Sequence, residues 1–385
     1  MPILFAFAPW ADIGHDEPAY KLARLMDKCL WYGHDEGNLG IPISWALSGQ
    51  TMEAIVRVDH SIQGSIRYRT AKKGTFSAWE QSEIIGSTFH ASGLAHPCLD
   101  DLYQDAYING FVKEDIKHTN HVLHQLFDRE PRGFCPSEKL FSIQSSRAVS
   151  EEGYEYCIIG GEHFGSDAHG QHHKGNIFSV ENGLKVVPTV NEIMPSDFNR
   201  YYKAELLIDE IIQYARRNNI GRVLLSADVD FWLDDNGFER IKWLYLKSLE
   251  RSEEIRMVNT SALVESSWCQ GYPGLQSLER FYQSINIPDV YRNISTWTNA
   301  PGNLRFIDWE RSARSAEFIK AHTDRFFKAI NNEQWVDGHK LQRAKEMWMN
   351  ISGTVFYDGR EQWYNFMPDC FDENMNKAWN LLHES

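Results

Sequence analysis

Two short stretches of the chain end in carboxylates, and these carboxylates are the best candidates for chemistry. Residues 131–138 read Pro-Arg-Gly-Phe-Cys-Pro-Ser-Glu, so a strand-like approach ends at Glu138. The stretch 222–232 ends near a second pair, Asp228 and Asp230. Barrel enzymes place catalytic acids at strand ends in this way. Two strand-end carboxylates are the minimum equipment for glycoside hydrolysis, in which a retaining enzyme holds its nucleophile and proton donor about 5–5.5 Å apart.

The same carboxylates also have a structural explanation. Acids at strand ends often cap a following helix or pair with arginine. In the catalytic interpretation the proton donor must stay protonated near neutral pH. Burial, or a neighbouring carboxylate such as Asp230, would raise the pKa of Asp228 and so favour that state.

The elements that must position these acids alternate along the chain between strand-like and helical patterns. Apolar runs of strand length occur at 3–8, 41–47, 83–87, 132–135, 154–159, 222–231 and 255–259. Apolar residues recur with helical spacing at 20–32, 105–127, 145–152, 202–218 and 237–252. This alternation predicts a parallel sheet in an α/β fold, most simply a (β/α) barrel that is incomplete, with seven strands.

The C-terminal part of the chain differs in character from the part before it. Helical patterns dominate there, at 310–330, 337–351 and 373–382. We therefore expect a catalytic barrel over residues 1–300 and a C-terminal helical region over residues 301–385 that packs on the barrel.

Composition limits the classes of function. The 385 residues have a formal net charge of −14, which argues against nucleic acid and anionic membrane surfaces as partners. The 13 Trp and 16 Tyr suit stacking on sugar rings, although core packing explains any single one equally well. Six scattered cysteines without a Cys-x-x-Cys pair predict reduced thiols and a cytoplasmic protein. No stretch has transmembrane length, and the apolar N-terminus lacks the basic start of a signal peptide.

In the order of its motifs the chain resembles glycoside hydrolase family 57. Gly-Phe-x-Pro-Ser-Glu, ending at Glu138, is similar to the strand that holds the family's nucleophile. Asp228-Val-Asp230 is similar to the Asp-x-Glu strand whose aspartate is the family's acid/base. The stretch 41–49 resembles the family's second conserved strand, and 83–97 its third, which holds a histidine before an apolar turn.

The resemblance implies a retaining glycosidase or transglycosidase that acts on an α-linked oligo- or polysaccharide and needs no cofactor. Glu138 would attack the anomeric carbon and form a glycosyl-enzyme. Asp228 would protonate the leaving oxygen and then activate water or an acceptor hydroxyl. His15 and His96 would bind sugar hydroxyls beside the scissile bond. The expected substrate-binding residues are His15, His96, Asp230, Trp45, Trp232 and His163.

Three departures from the family pattern predict a divergent subfamily. Ala8-Pro-Trp10 stands where the family has a His-x-His-Gln-Pro run. Cys135 replaces the usual tryptophan, and Asp230 replaces glutamate. The smaller side chain at Cys135 predicts a reshaped pocket around Glu138, so the substrate is expected to differ more than the chemistry.

Two other functions remain open at this stage. Polysaccharide deacetylases of related barrel form hold a metal with an aspartate and two histidines, and Asp12, His15, His90 and His96 are the residues available for that role. The chain lacks the paired Asp-Asp after the first strand and the His-x-x-x-His motif that those enzymes typically show. A non-catalytic carbohydrate-binding protein is the third possibility.

A histidine-rich loop is a second candidate for metal binding. It runs from 160 to 175 and contains His163, His169, His172 and His173 together with Asp167. Imidazoles and a carboxylate this close could bind zinc or another transition metal. The alternative is a polar loop whose histidines offer hydrogen bonds to sugar hydroxyls, and the spacing matches no standard zinc pattern.

Overall fold

The computed structural model describes most of the first two thirds of the chain. The described residues are 2–37, 39–71, 81–90, 107–130, 132–139, 141, 143–161, 175–190, 193, 204–265 and 276–277, with 339–340, 343–344, 376–377 and 380 near the C-terminal end.

The chain divides into two compact units, and each contains more than one segment. The first unit comprises Met1–Ser87, Lys117–Cys135 and Val149–Ile287. The second comprises Thr88–Ile116, Pro136–Ala148 and Pro288–Ser385. The second unit thus includes two segments from within 1–300. Most of 301–385 lies outside the described residues, so the helical region expected there stays a prediction.

The fold is mixed α/β, and its strands form small, mostly parallel sheets in the first unit. One sheet has the order β10-β1-β9, a second β2-β3-β4, and a third β11-β7-β8-β6-β5. Among the strands that the structure describes, every pairing is parallel except that of β7 with β8. The strands are β1 (Ile3–Phe7), β2 (Trp10–Ala11), β3 (Ser44–Leu47), β4 (Glu83–Ile85), β5 (Gly133–Phe134), β6 (Tyr156–Ile159), β7 (Phe178–Ser179), β8 (Lys185–Pro188), β9 (Arg222–Leu225), β10 (Ile255–Met257) and β11 (Gln276–Ser277).

Helices follow most of the strands. They are α1 (Asp16–Leu30), α2 (Gly49–Val58), α3 (Ser61–Arg69), α4 (Lys113–Phe127), α5 (Ile143–Glu151), α6 (Ala204–Arg217), α7 (Gly237–Glu250) and α8 (Thr260–Glu265). A π-helical segment, Tyr107–Val112, precedes α4. Short 3-10 turns lie at His34–Glu36, Ser137–Lys139 and Val229–Trp232. None of the helices in the described ranges has both the length and the apolar character needed to cross a membrane.

Local sequence explains where these elements form. All five residues of β1 are buried, as expected for a parallel strand covered on both faces. In α1 the buried residues recur with helical spacing and face α2 and α3. Ser48 caps α2, because its hydroxyl accepts a hydrogen bond from the backbone N–H of Thr51 at 3.1 Å.

A buried polar network lies at the start of β4. The Glu83 carboxylate is 4% exposed. It accepts hydrogen bonds from Ser44 Oγ at 2.6 Å, from the Tyr156 hydroxyl at 3.1 Å and from the Ser261 backbone N–H at 3.0 Å. The Ser261 hydroxyl is a fourth donor. Gly133 makes room for the Tyr156 ring, since a Cβ there would lie 2.2 Å from Tyr156 Cζ. A buried charge is tolerated only when donors surround it in this way.

Candidate active site

Polar side chains follow the carboxyl ends of neighbouring strands in the first unit. Asp12 comes directly after β2, Ser48 directly after β3, and Asp228 shortly after β9. Ser48 Oγ donates to Asp12 Oδ1 at 2.8 Å, and the Trp10 backbone N–H donates to the Ala227 carbonyl at 2.9 Å. These bonds place the three strand ends side by side. The carboxyl edge of parallel strands is where α/β enzymes build their sites.

Asp228 is held in a fixed position at this edge. It precedes the 3-10 turn Val229–Trp232, and its Oδ1 accepts a hydrogen bond from the Asp230 backbone N–H at 3.2 Å. Asp228 also forms a parallel bridge with Trp10. The side chain is half-buried. The carboxylate therefore has a defined orientation and a partly exposed surface.

The pKa of the Asp230 carboxyl is raised. Removal of water by neighbouring protein atoms is the larger cause, and the negative charge of Asp228 adds to it. The side chain nevertheless remains exposed. That Asp230 tunes Asp228 stays a prediction. A strand-end carboxyl that keeps its proton to higher pH than usual suits acid catalysis or a hydrogen bond to a sugar oxygen.

The two tryptophans predicted to bind substrate are packed into the protein. Trp45 is 0% exposed and Trp232 is 1% exposed. The ring centroids of Trp232 and Phe7 are 4.8 Å apart, and the Cζ atom of Arg240 lies over the Trp232 ring, 5.5 Å from its centroid. Neither indole presents an open face to a sugar ring, so their burial favours packing. The exposed aromatic at this strand end is Phe231, at 37%, which the sequence analysis passed over.

Of the three histidines predicted to bind substrate, the structure describes His15. His15 is exposed and precedes the first residue of α1, without a side-chain capping bond. His96 and His163 lie outside the described residues. Within the described ranges no three His, Cys, Asp or Glu side chains gather into a group that could hold a metal ion. Residues 162–174 of the histidine-rich loop lie outside those ranges.

Glu138 lies in the second unit, within the 3-10 turn Ser137–Lys139. The next residue, Lys139, has φ of 58°, in the left-handed region that turns a chain sharply. The backbone therefore turns sharply directly after Glu138. The side chain of Glu138 lies outside the described part of the structure.

A histidine–aspartate pair in the second unit was not predicted from sequence. Asp115 Oδ1 lies 2.6 Å from His90 Nδ1, and Asp115 Oδ2 accepts the His90 backbone N–H at 3.1 Å. The Asp115 side chain is 0% exposed and the His90 side chain is 14% exposed. His90 belongs to the motif that resembles the family's third strand. Asp115 is 25 residues further along the chain, and no short motif joins the two.

Three solved structures with a similar fold are remote from this chain in sequence. A 4-alpha-glucanotransferase from Thermococcus litoralis superimposes with a TM-score of 0.61 at 15% identity over 99% of this chain, which spans 60% of that protein. The alpha-amylase AmyC from Thermotoga maritima gives 0.59 at 11% identity, and a GH57-type branching enzyme from Pyrococcus horikoshii gives 0.58 at 12%. Both matches cover 99% of this chain. They cover 93% of the amylase and 95% of the branching enzyme.

The family assignment comes from the sequence profile. No curated protein sequence matches the chain. The profile of glycosyl hydrolase family 57 matches residues 35–273, which include Glu138, Asp228 and most of the strands. That range is more than half of the 385 residues. The chain therefore belongs to glycosyl hydrolase family 57.

Proposed function

We propose that the protein is a retaining glycosidase or transglycosidase that acts on an α-linked glucan by double displacement. The observation on which this depends is the placement of Asp228 and Asp230 at the carboxyl edge of β9, in a chain of this family. The names of the similar structures, a glucanotransferase, an amylase and a branching enzyme, support an α-glucan as substrate.

Glu138 is the proposed nucleophile and Asp228 the proposed acid/base. Glu138 attacks the anomeric carbon while Asp228 gives its proton to the departing glycosidic oxygen, which leaves a covalent glycosyl-enzyme. Asp228 then removes a proton from water, or from a sugar hydroxyl, as that oxygen attacks the same carbon and releases Glu138. The fixed orientation and partial exposure of Asp228 support this role.

Asp230 and the histidines are proposed to bind the substrate. The exposed Asp230 carboxyl is proposed to form a hydrogen bond with a sugar hydroxyl. His15, His96 and His163 remain candidates for sugar hydroxyls, by the motif order alone. The buried cysteines Cys29 and Cys157, which form no disulfide, support a location where thiols stay reduced, so we propose that the protein is cytoplasmic.

The strands are proposed to close into a seven-stranded, incomplete (β/α) barrel. Three sets of backbone contacts join the small sheets. The Cys135 backbone N–H donates to the Gly86 carbonyl at 2.9 Å and so connects β5 to β4. The Val190 backbone N–H donates to the Leu224 carbonyl at 2.7 Å and so connects the end of β8 to β9. The bridge between Trp10 and Asp228 connects β2 to the segment after β9. With β1 and β2 counted as one strand, the ring contains β1/β2, β3, β4, β5, β6, β8 and β9.

The substitution Glu138→Gln tests the proposed chemistry. Maltoheptaose and amylose are the probes, and the products are separated by chromatography so that hydrolysis and transfer are both detected. We expect Glu138→Gln to abolish turnover, because an amide is a far weaker nucleophile than a carboxylate. Glu130→Gln is the matched control: Glu130 is exposed and eight residues earlier in the chain, and its loss should leave turnover unchanged. Full activity of Glu138→Gln would refute the assignment.

A further inference from the structure

Helix α7 presents an exposed tryptophan at the surface of the first unit. Trp243 is 49% exposed, whereas Trp10, Trp45 and Trp232 are each at most 9% exposed. A largely exposed indole keeps a wide apolar surface in contact with water, and covering that surface with a ligand is favourable. Trp243 is therefore a candidate contact for a ligand, as the three buried tryptophans are not.

A lysine beside Trp243 orders the surroundings of the indole. Lys242 Nζ lies over two rings, 5.8 Å from the centroid of Trp243 and 5.7 Å from that of Phe238. The same ammonium pairs with Glu239 Oε2 at 2.5 Å. One face of the indole is thus directed at Lys242, and the other face is left to solvent. A ring whose neighbours are already ordered loses less side-chain freedom when it binds a ligand.

An arginine connects this part of α7 to the strand end that holds the candidate carboxylates. Arg240 precedes Trp243 by three residues, and residues three apart are neighbours on a helix surface. Its Nη2 donates to the Phe231 carbonyl at 2.7 Å, and its Nη1 pairs with Asp234 at 2.9 Å. Phe231 directly follows Asp230 and is 37% exposed. Arg240 therefore joins the turn that carries one exposed ring to the turn of α7 that carries the other.

The position of Trp243 along α7 sets the size of ligand that could contact both ends of this surface. A Cβ on Gly237 would lie 1.8 Å from the Trp232 carbonyl oxygen, so the start of α7 packs against the turn that follows β9. Trp243 comes six residues after Gly237, about 9 Å along the helix axis at a rise of about 1.5 Å per residue. A single sugar at Asp228 would not reach that far, whereas a chain of several sugars would.

The charges around Trp243 favour a neutral ligand. Lys242 pairs with Glu239, and Arg240 pairs with Asp234, so each cation here has an anion beside it. This surface therefore has little attraction for a nucleic acid or an acidic protein. A sugar ring has an apolar C–H face and an edge of hydroxyls. An indole bordered by N–H donors and carboxylate acceptors is complementary to both.

We propose that Trp243 is a stacking platform for a distal part of an α-glucan chain, which extends from the end of β9 past Phe231 and along α7. The inference rests on the proposed function for the identity of the sugar. Trp243 touches no reacting atom. Its role is to raise the affinity for long chains, because a second contact on a chain that is already bound acts at a high effective concentration.

The test measures binding of the full chain to soluble amylopectin by its retardation in native gels. Trp243→Ala should raise the dissociation constant by about threefold to tenfold, the range expected for loss of one stacked aromatic ring. Alanine is a strong helix former, so α7 should persist in this variant. Trp243→Phe keeps an aromatic face and should raise the dissociation constant by a smaller factor. Two controls should leave it unchanged: Leu249→Ala, which is equally exposed on the same helix, and Tyr68→Ala, an 82% exposed ring on α3.

The outcomes for Trp243 and for the proposed function are separable. A Trp243→Ala variant retarded as strongly as the wild type would refute the inference, and so would an equal loss in Leu249→Ala, which would indicate an apolar helix face and not a sugar platform. A wild type that amylopectin does not retard would also refute it, whatever the turnover of maltoheptaose. If Glu138→Gln kept full activity, the proposed chemistry would fail, while retardation that depends on Trp243 would still establish the glucan contact.

Discussion

Replacing Tyr156 with phenylalanine should destabilise the protein more than the same change at Tyr154. Both tyrosines are buried, at 1% and 3% exposure. The Tyr156 hydroxyl donates to the Glu83 carboxylate at 3.1 Å, whereas the Tyr154 hydroxyl donates to the neutral Asn120 Oδ1 at 2.6 Å. The two variants therefore remove the same atom but leave acceptors of different charge.

The expected magnitudes follow from that difference. A hydrogen bond to a charged group contributes about 1.5–3 kcal/mol, and a neutral one about 0.5–1.5 kcal/mol. Tyr156→Phe should thus cost about 1 kcal/mol more than Tyr154→Phe, a factor of about five in the folded-to-unfolded ratio. The donors from Ser44 and Ser261 remain on Glu83 and keep the loss within this range. The shorter distance at Tyr154 predicts the opposite order, so the comparison separates charge from distance.

The assay is urea denaturation followed by tryptophan fluorescence and far-ultraviolet circular dichroism. A Glu83→Gln background supplies the internal check, because a neutral acceptor at 83 should reduce the cost of Tyr156→Phe to that of Tyr154→Phe. Burial, and then the charge of Glu83, raise the pKa of Tyr156 well above its ordinary value. The protonated Tyr156 hydroxyl therefore stabilises the fold fully below about pH 10, and this stabilisation is lost as the pH rises further. A larger cost at Tyr154, or no effect of the Glu83→Gln background, would refute the reasoning.

Two further pairs of substitutions test the packing of the sheet and the electrostatics of the candidate site. The Gly133→Ala variant should lower the free energy of unfolding by about 1–3 kcal/mol in the same assay, because the new Cβ would lie 2.2 Å from Tyr156 Cζ. The control is Gly64→Ala, whose new Cβ would have no neighbouring atom within 4 Å. It should stabilise α3 by about 0.5–1 kcal/mol. The Asp230→Asn variant should gain stability relative to the wild type as the pH rises through the raised pKa of Asp230, and the gain should be less than about 1 kcal/mol because the site is exposed. The Asp228→Asn variant should lower the pKa of Asp230, as measured by a ¹³C carboxyl titration. An unchanged titration of Asp230 in that variant would contradict the coupling between the two carboxyls.

Much of the strand framework follows from the sequence, because buried parallel strands leave a clear pattern. β1, β6 and β9 are continuous apolar runs, and their predicted positions are confirmed. β7 and β8 were missed because they are short, and one of them ends in proline. The helix α2 was also missed, and the polar span 59–77, which contains Gly64, indicated only a connection or a short helical segment where α3 lies.

The candidate site was only partly predictable, and the reason differs between residues. The position of Asp228 follows from the end of an apolar run. The burial of Trp45 and Trp232 does not follow from the sequence, because a shift of one residue in a strand or turn reverses which side chains point inward. The Asp115–His90 pair depends on a tertiary contact across 25 residues. No local periodicity can show such a contact.

The amino end of β4 should separate stability from the proposed activity. At its first residue, Glu83 is buried and surrounded by donors from three side chains and one backbone N–H. In parallel α/β proteins, sites form at the carboxyl edge of the strands, whereas the amino edge serves folding. Changes at Tyr156 should therefore alter the free energy of unfolding and leave kcat/KM on maltoheptaose constant. A folded Tyr156→Phe variant with a lower kcat/KM would mean that Glu83 and its donors also serve the site.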